Sequence, residues 1–189
     1  MSRSEVQSDS VEVVRFGTRV TVSNKYLTET MTLDRCNIWY GHLSVDPLPT
    51  EILPNSSVKI LLGSKGAAQY SCPVSGGETA AWILAWDSRA HNTPVDHDQI
   101  SVTCGEKSKM DELSWDLIEQ IVKRGPQVDK YWDNKTQTCI DAFIVESVAD
   151  YSILVSDFGF INWDARSKWV TRLTTTPSKL YALHISYMY

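Results

Sequence analysis

The sequence has no excess of positive charge, no long apolar run and no closely spaced cysteines, and each absence removes a class of protein. Lys and Arg number 18 against 23 Asp and Glu, a net charge of −5. Broad nucleic-acid binding needs cationic side chains to neutralise phosphates, so no nucleic acid is expected as a partner. The same balance suits a soluble protein and gives no pull toward anionic membranes. The first ten residues are polar and include Glu5 and Asp9, whereas a secretory signal needs an apolar stretch there. No later window approaches the ~20 apolar residues of a spanning helix. The expectation is a cytoplasmic protein without integral membrane association. Cys36, Cys72, Cys104 and Cys139 lack any CxxC pairing. They read as reduced thiols, and no metal site is expected from them. Asn55-Ser-Ser and Asn134-Lys-Thr match the glycosylation sequon but, without a secretory route, read as chance matches. Gly63-Ser-Lys-Gly66 is too short for a phosphate loop, and Ser75 has no GxSxG context. No cofactor is expected.

What is present suits one globular domain. The chain has 189 residues, 42% hydrophobic and 22% charged, which is enough to bury a real core and too apolar for disorder throughout. Residues 1–10 read as a disordered lead and 11–189 as a single domain, with 161–189 a C-terminal extension. Val20 and Val22 alternate with Arg19, Thr21 and Ser23, the pattern of a half-buried strand. Met31, Leu33 and Ile38 to Tyr40 continue it around Asp34-Arg35, and Gly41 allows a turn or bulge. Pro47, Pro49 and Pro54 mark loop or edge. Val58 to Leu62 reads as a strand, broken by Gly63 to Gly66. Gln69 to Val74 reads as another, turned at Gly76-Gly77. Thr79 to Asp87 is strongly apolar and fits a short buried helix or a central strand; its tryptophans and flanking glycines favour the strand. Gln99 to Thr103, Thr138 to Val145 and Ser152 to Val155 follow. Trp169 to Leu173 and Leu180 to Tyr189 resemble a closing hairpin around Thr176-Pro-Ser178.

The best helix lies at Ser114 to Lys123. Ser114 can cap it, and Asp116 suits the positive end of its dipole. Trp115, Ile118, Ile121 and Val122 read as its apolar face, and Gly125-Pro126 stops it. Many short strands with one helix predict a mainly β protein: an antiparallel β-sandwich, one amphipathic helix and a C-terminal β-hairpin.

The order of these features resembles known sandwiches. Val20-Thr-Val-Ser-Asn24, Met31-Thr-Leu33 and Trp39-Tyr-Gly41 look like the opening of aegerolysin-type β-sandwiches, and Trp82-Ile-Leu-Ala-Trp86-Asp87 like a later strand of theirs. The helix at Trp115 to Val122, followed by Thr138 to Asp157, is similar to plant jasmonate-induced proteins. The resemblance spans Thr18 to Phe158. It implies membrane-lipid binding on the aegerolysin side and a stress or defence association on the plant side. It carries over no catalytic motif.

Two constellations can bear a function. The aromatic one comprises Trp39, Tyr40, Trp82 and Trp86, with Tyr131-Trp132 apart in what reads as a loop among Lys130, Asn134 and Lys135. Stacked rings can line a pocket or a lipid-facing surface, although such rings as often fill a sandwich core. The polar one follows Asp87 and runs His91-Asn-Thr-Pro-Val-Asp96-His97-Asp98. A His beside carboxylates can act as an acid–base pair, though Asn, Pro and Asp also make an ordinary solvated loop. The leading expectation is a non-enzymatic stress- or defence-associated protein that uses the aromatic residues to bind a lipid, glycan or small hydrophobic molecule. The alternative is a cofactor-independent cyclase or isomerase with Asp87, His91 and His97 as acid–base groups. A third reading makes the aromatic last strand an edge for homo-oligomer formation.

Overall fold

The computed structural model describes residues 17–25, 28–41, 48–74, 76–88, 98–146 and 151–160. The disordered lead, His91, His97 and the C-terminal hairpin lie outside the described residues. Among the described residues, ten strands make two five-stranded sheets. The first sheet has the order β4 (Ser56–Gly63), β1 (Gly17–Asn24), β10 (Tyr151–Phe160), β9 (Thr138–Glu146), β8 (Val128–Asp133). The second has β3 (Glu51–Ile52), β2 (Met31–Tyr40), β5 (Lys65–Pro73), β6 (Thr79–Asp87), β7 (Gln99–Glu106). The expected sandwich is therefore present. Its pairs are antiparallel except β1 with β10, which run parallel.

Period-two alternation builds the core between the sheets. Val20 and Val22 of β1, Ile140 and Ile144 of β9, and Leu154 and Phe158 of β10 face inward. They meet Tyr70, Trp82, Leu84, Trp86, Ile100 and Val102 from the second sheet. Trp82 stacks on Phe158 with ring centroids 6.3 Å apart and planes 7° from parallel. The indole N–H of Trp82 donates to the Cys139 carbonyl at 3.0 Å, and that of Trp86 to the Gly63 carbonyl at 2.8 Å. Each buried ring is thus also satisfied as a donor. Gly66 makes room for Trp86: a Cβ there would lie 2.8 Å from the ring and 2.6 Å from Ile38.

Two helices cover the outer face of the second sheet. The short α1 (Lys107–Asp111) was not foreseen; α2 (Trp115–Val122) fills the expected span. Ser114 caps α2 by accepting from the Leu117 amide at 3.2 Å. Ile118 and Val122 pack on Ala67, Ile83 and Ala85. This explains why Thr79–Asp87 reads as an unbroken apolar run: β6 is buried on both faces. Ile121 is 45% exposed rather than on the packed face, because 3.6 residues per turn place it roughly 60–120° round from Trp115, Ile118 and Val122. Tyr131-Trp132-Asp133 is strand, the end of β8, and not a loop. Among the described residues no helix is long and apolar enough to cross a membrane.

Candidate binding site

The expected aromatic residues do not converge; the sheets sort them into three environments. Trp82 and Trp86 share the inner face of β6 and are fully buried. They lie four apart in one strand, so both fall on the side that meets the first sheet. Trp39, on β2, is half-buried beneath α2, with its ring edge-on to Trp115 at 6.3 Å and 84°. Tyr40 is exposed where β2 ends. Tyr131 and Trp132 are 44% and 56% exposed. Being consecutive in a strand, they project from opposite faces. Trp132 lies opposite Cys139 on the outer face, and Tyr131 opposite the inward Ile140.

Beneath the helices lies a charged layer that sequence reasoning missed. Lys65 begins β5 directly opposite Asp87, the last residue of β6. Both side chains are 1% exposed, with Nζ 3.4 Å from Oδ2. Glu119 of α2 reaches the same ammonium at 2.5 Å, and that ammonium lies 5.8 Å above the Trp39 ring. The Lys65 hydrogen bond holds the Glu119 carboxyl below its ordinary pKa, burial opposing it. A bulge in β2 between Leu33 and Arg35 lets consecutive Asp34 and Arg35 both serve the helix side. Arg35 donates to Gln69 at 2.9 Å and to the Met110 and Leu113 carbonyls at 2.7 and 3.0 Å. Its guanidinium sits 4.6 Å from the Trp115 ring centroid. Gln69 donates to Asp111 at 2.7 Å, and Lys107 bridges Asp111 and Asp34. The Lys107 hydrogen bond lowers the Asp111 pKa. A trace of this layer stands in the sequence: Lys65, Gln69 and Ser71 lie on one face of β5 with small Ala67 between. The glycines flanking Lys65 suggest a break instead.

Asp87 is therefore sealed in an ion pair rather than open to a substrate. The cysteines are free thiols. Burial pushes Cys72 and Cys104 up to about 12 and Cys139 to about 11, so these thiols stay protonated and weakly nucleophilic at neutral pH. Among the described residues, no group of three or more His, Cys, Asp or Glu is placed to hold a metal ion.

No protein-family model matches the chain. It is 29% identical over 160 residues to the jasmonate-induced protein homolog of Atriplex canescens, covering 82% of each. It superimposes on the solved lipid binding protein Nakanori with a TM-score of 0.58 at 10% identity, over 75% of this chain and 70% of that one. The Xerocomus chrysenteron lectin XCL gives a TM-score of 0.42 at 10% identity, over 75% and 99%. The resemblance drawn from the strand and helix motifs is borne out by the first two.

Proposed function

We infer that this relative of the jasmonate-induced proteins is a non-enzymatic binding protein, associated with stress or defence, that presents aromatic side chains at its surface to a lipid or glycan. The observation that carries this reading is the exposure of Tyr131 and Trp132 on β8, 44% and 56%. Large rings left in water at the edge of a well-packed sandwich favour a contact surface. Burial of Trp82 and Trp86 weighs against a pocket built from those rings. The lipid-binding protein that shares the fold adds support for a lipid. Asp87, held by a buried lysine, lends nothing to the cyclase or isomerase alternative.

Vesicle flotation and a glycan array test the reading with the full chain. Binding to one class is expected, and Tyr131→Ala/Trp132→Ala should weaken it by about 2 kcal/mol, roughly 30-fold, with an unchanged circular dichroism spectrum. Retention on neither class would sink the reading. Unaltered binding by the double variant would remove these two residues from it.

A further inference from the structure

We propose that the trough between α2 and β8, floored by β7, binds a neutral oligosaccharide. This rests on the glycan side of the reading above and gives it a place and a ligand class. The register sets the floor. Ile83 and Ala85 of β6 lie under α2, and their partners one strand further out are Thr103 and Ser101. These two half-buried residues therefore face the helix side of the sheet, just beyond the strand that α2 covers. The near wall is the helix itself. Glu119 points toward β5, where it meets Lys65. At about 100° per residue, Leu117 and Ile121 fall on the opposite flank, toward β7. They are 44% and 45% exposed.

The far wall is β8, which is stitched to the edge of β7. Asp129 accepts from the Val102 amide at 2.8 Å, and the Cys104 thiol reaches the Tyr131 carbonyl at 3.9 Å. Further along, the Asp133 carboxyl carbon stands 3.5 Å from where a Cβ on Gly105 would lie. Tyr131 shares one face of β8 with Asp129 and Asp133, so its 44% exposed ring stands beside Thr103. Trp132 points to the other face of the strand and takes no part.

The chemistry of the walls and floor selects the ligand. A ring and two aliphatic side chains offer flat apolar contact, and the Ser101 and Thr103 hydroxyls between them offer donors and acceptors. A pyranose matches both, with an apolar C–H face and a rim of hydroxyls. The charges around the trough balance: Asp129, Asp133 and Glu106 stand against Lys109, Lys135 and Arg124. Glu106 is paired with Lys109 at 3.0 Å and with Lys135. The Thr136 amide and hydroxyl engage Asp133, each at 2.8 Å. No local excess of charge draws an ionic ligand, and a molecule of net charge −5 repels an acidic one. An acyl chain laid here would bury the two hydroxyls without partners, which disfavours it.

The test is calorimetric titration of the full chain with maltotriose, cellotriose and chitotriose, with sialyllactose as the acidic counterpart, and amide NMR to locate the contact. At least one neutral trisaccharide is expected to bind and sialyllactose to bind more weakly, with the largest shifts at Ser101, Thr103 and Tyr131. Tyr131→Ala should weaken the affinity roughly 30-fold, the whole effect expected of the double variant above. Thr103→Val keeps the β-branched shape, loses the hydroxyl and should weaken it roughly fivefold. Leu117→Glu alters an exposed helix position, so it keeps the test open should Tyr131→Ala loosen the β7–β8 seam; it too should weaken binding by roughly fivefold or more. Trp132→Ala should bind like the wild type. Tighter binding of sialyllactose, or affinity lost in Trp132→Ala but kept in Tyr131→Ala and Leu117→Glu, would overturn the proposal while leaving glycan binding standing. Failure of all three neutral sugars, with the chain floating on vesicles, would overturn it and leave the lipid side of the reading. Retention on neither sugars nor vesicles would sink the function reading as well.

Discussion

Lys65 is the residue with most at stake. Its ammonium is out of water, and Asp87 and Glu119 compensate it. Such an arrangement adds little net stability over an apolar equivalent, but removing one member strands the others. Lys65→Met should cost about 3 kcal/mol in urea unfolding, because Asp87 would stay buried without this cation. Glu119 gives the pH dependence. Its folded pKa is depressed below the ordinary 4.5, so its contribution is present above that pH and lost as pH falls through the folded value. Asp111 acts in the same sense. Asp141 acts in the opposite one: burial raises its pKa, so protonation relieves it. The melting temperature should fall from pH 5 toward acid, and Glu119→Gln should flatten that slope; a wild-type slope kept by the variant would clear Glu119 of the effect.

At the scale of elements, strands were legible wherever one face is apolar and the other wet, as in Arg19 to Ser23. The run Thr79–Asp87 was legible through its tryptophans, although only the structure explains it, by helices on one side and the other sheet on the other. Two elements escaped. In β8 the sequence Val-Asp-Lys-Tyr-Trp-Asp has no apolar stripe, because an edge strand buries little. The short α1 is held by the Arg35 and Lys107 contacts and has no buried residue of its own. The site was less legible than the fold. Which aromatic faces out depends on which sheet its strand joins, and no spacing encodes that. Capping is a local matter and predictable: Ser114→Ala should destabilise by about 1 kcal/mol, measured by chemical denaturation, since the Leu117 amide loses its acceptor.

At the scale of the molecule, the first and last described strands lie side by side in the interior of one sheet. β1 has β4 on one flank and β10 on the other, and β10 has β9 beyond it. Neither strand can open alone without breaking two ladders. Backbone amides of Val20, Val22 and Leu154 should therefore exchange with solvent only through global unfolding, at the slowest rates in the protein. Faster exchange there than in β5 and β6 would mean that the sheets unfold separately.

The parallel pairing of β1 with β10 also bears on biosynthesis. Gly17 leaves the ribosome long before its partner Tyr151. Until then one edge of β1 has no neighbour in the sheet, and the inward faces of Val20 and Val22 lack half of their core. The second sheet, whose neighbouring strands are consecutive in sequence apart from β2 and β5, can assemble first and offer a surface for β1 to rest on. The nascent chain is thus exposed to strand-edge association until its tenth strand emerges.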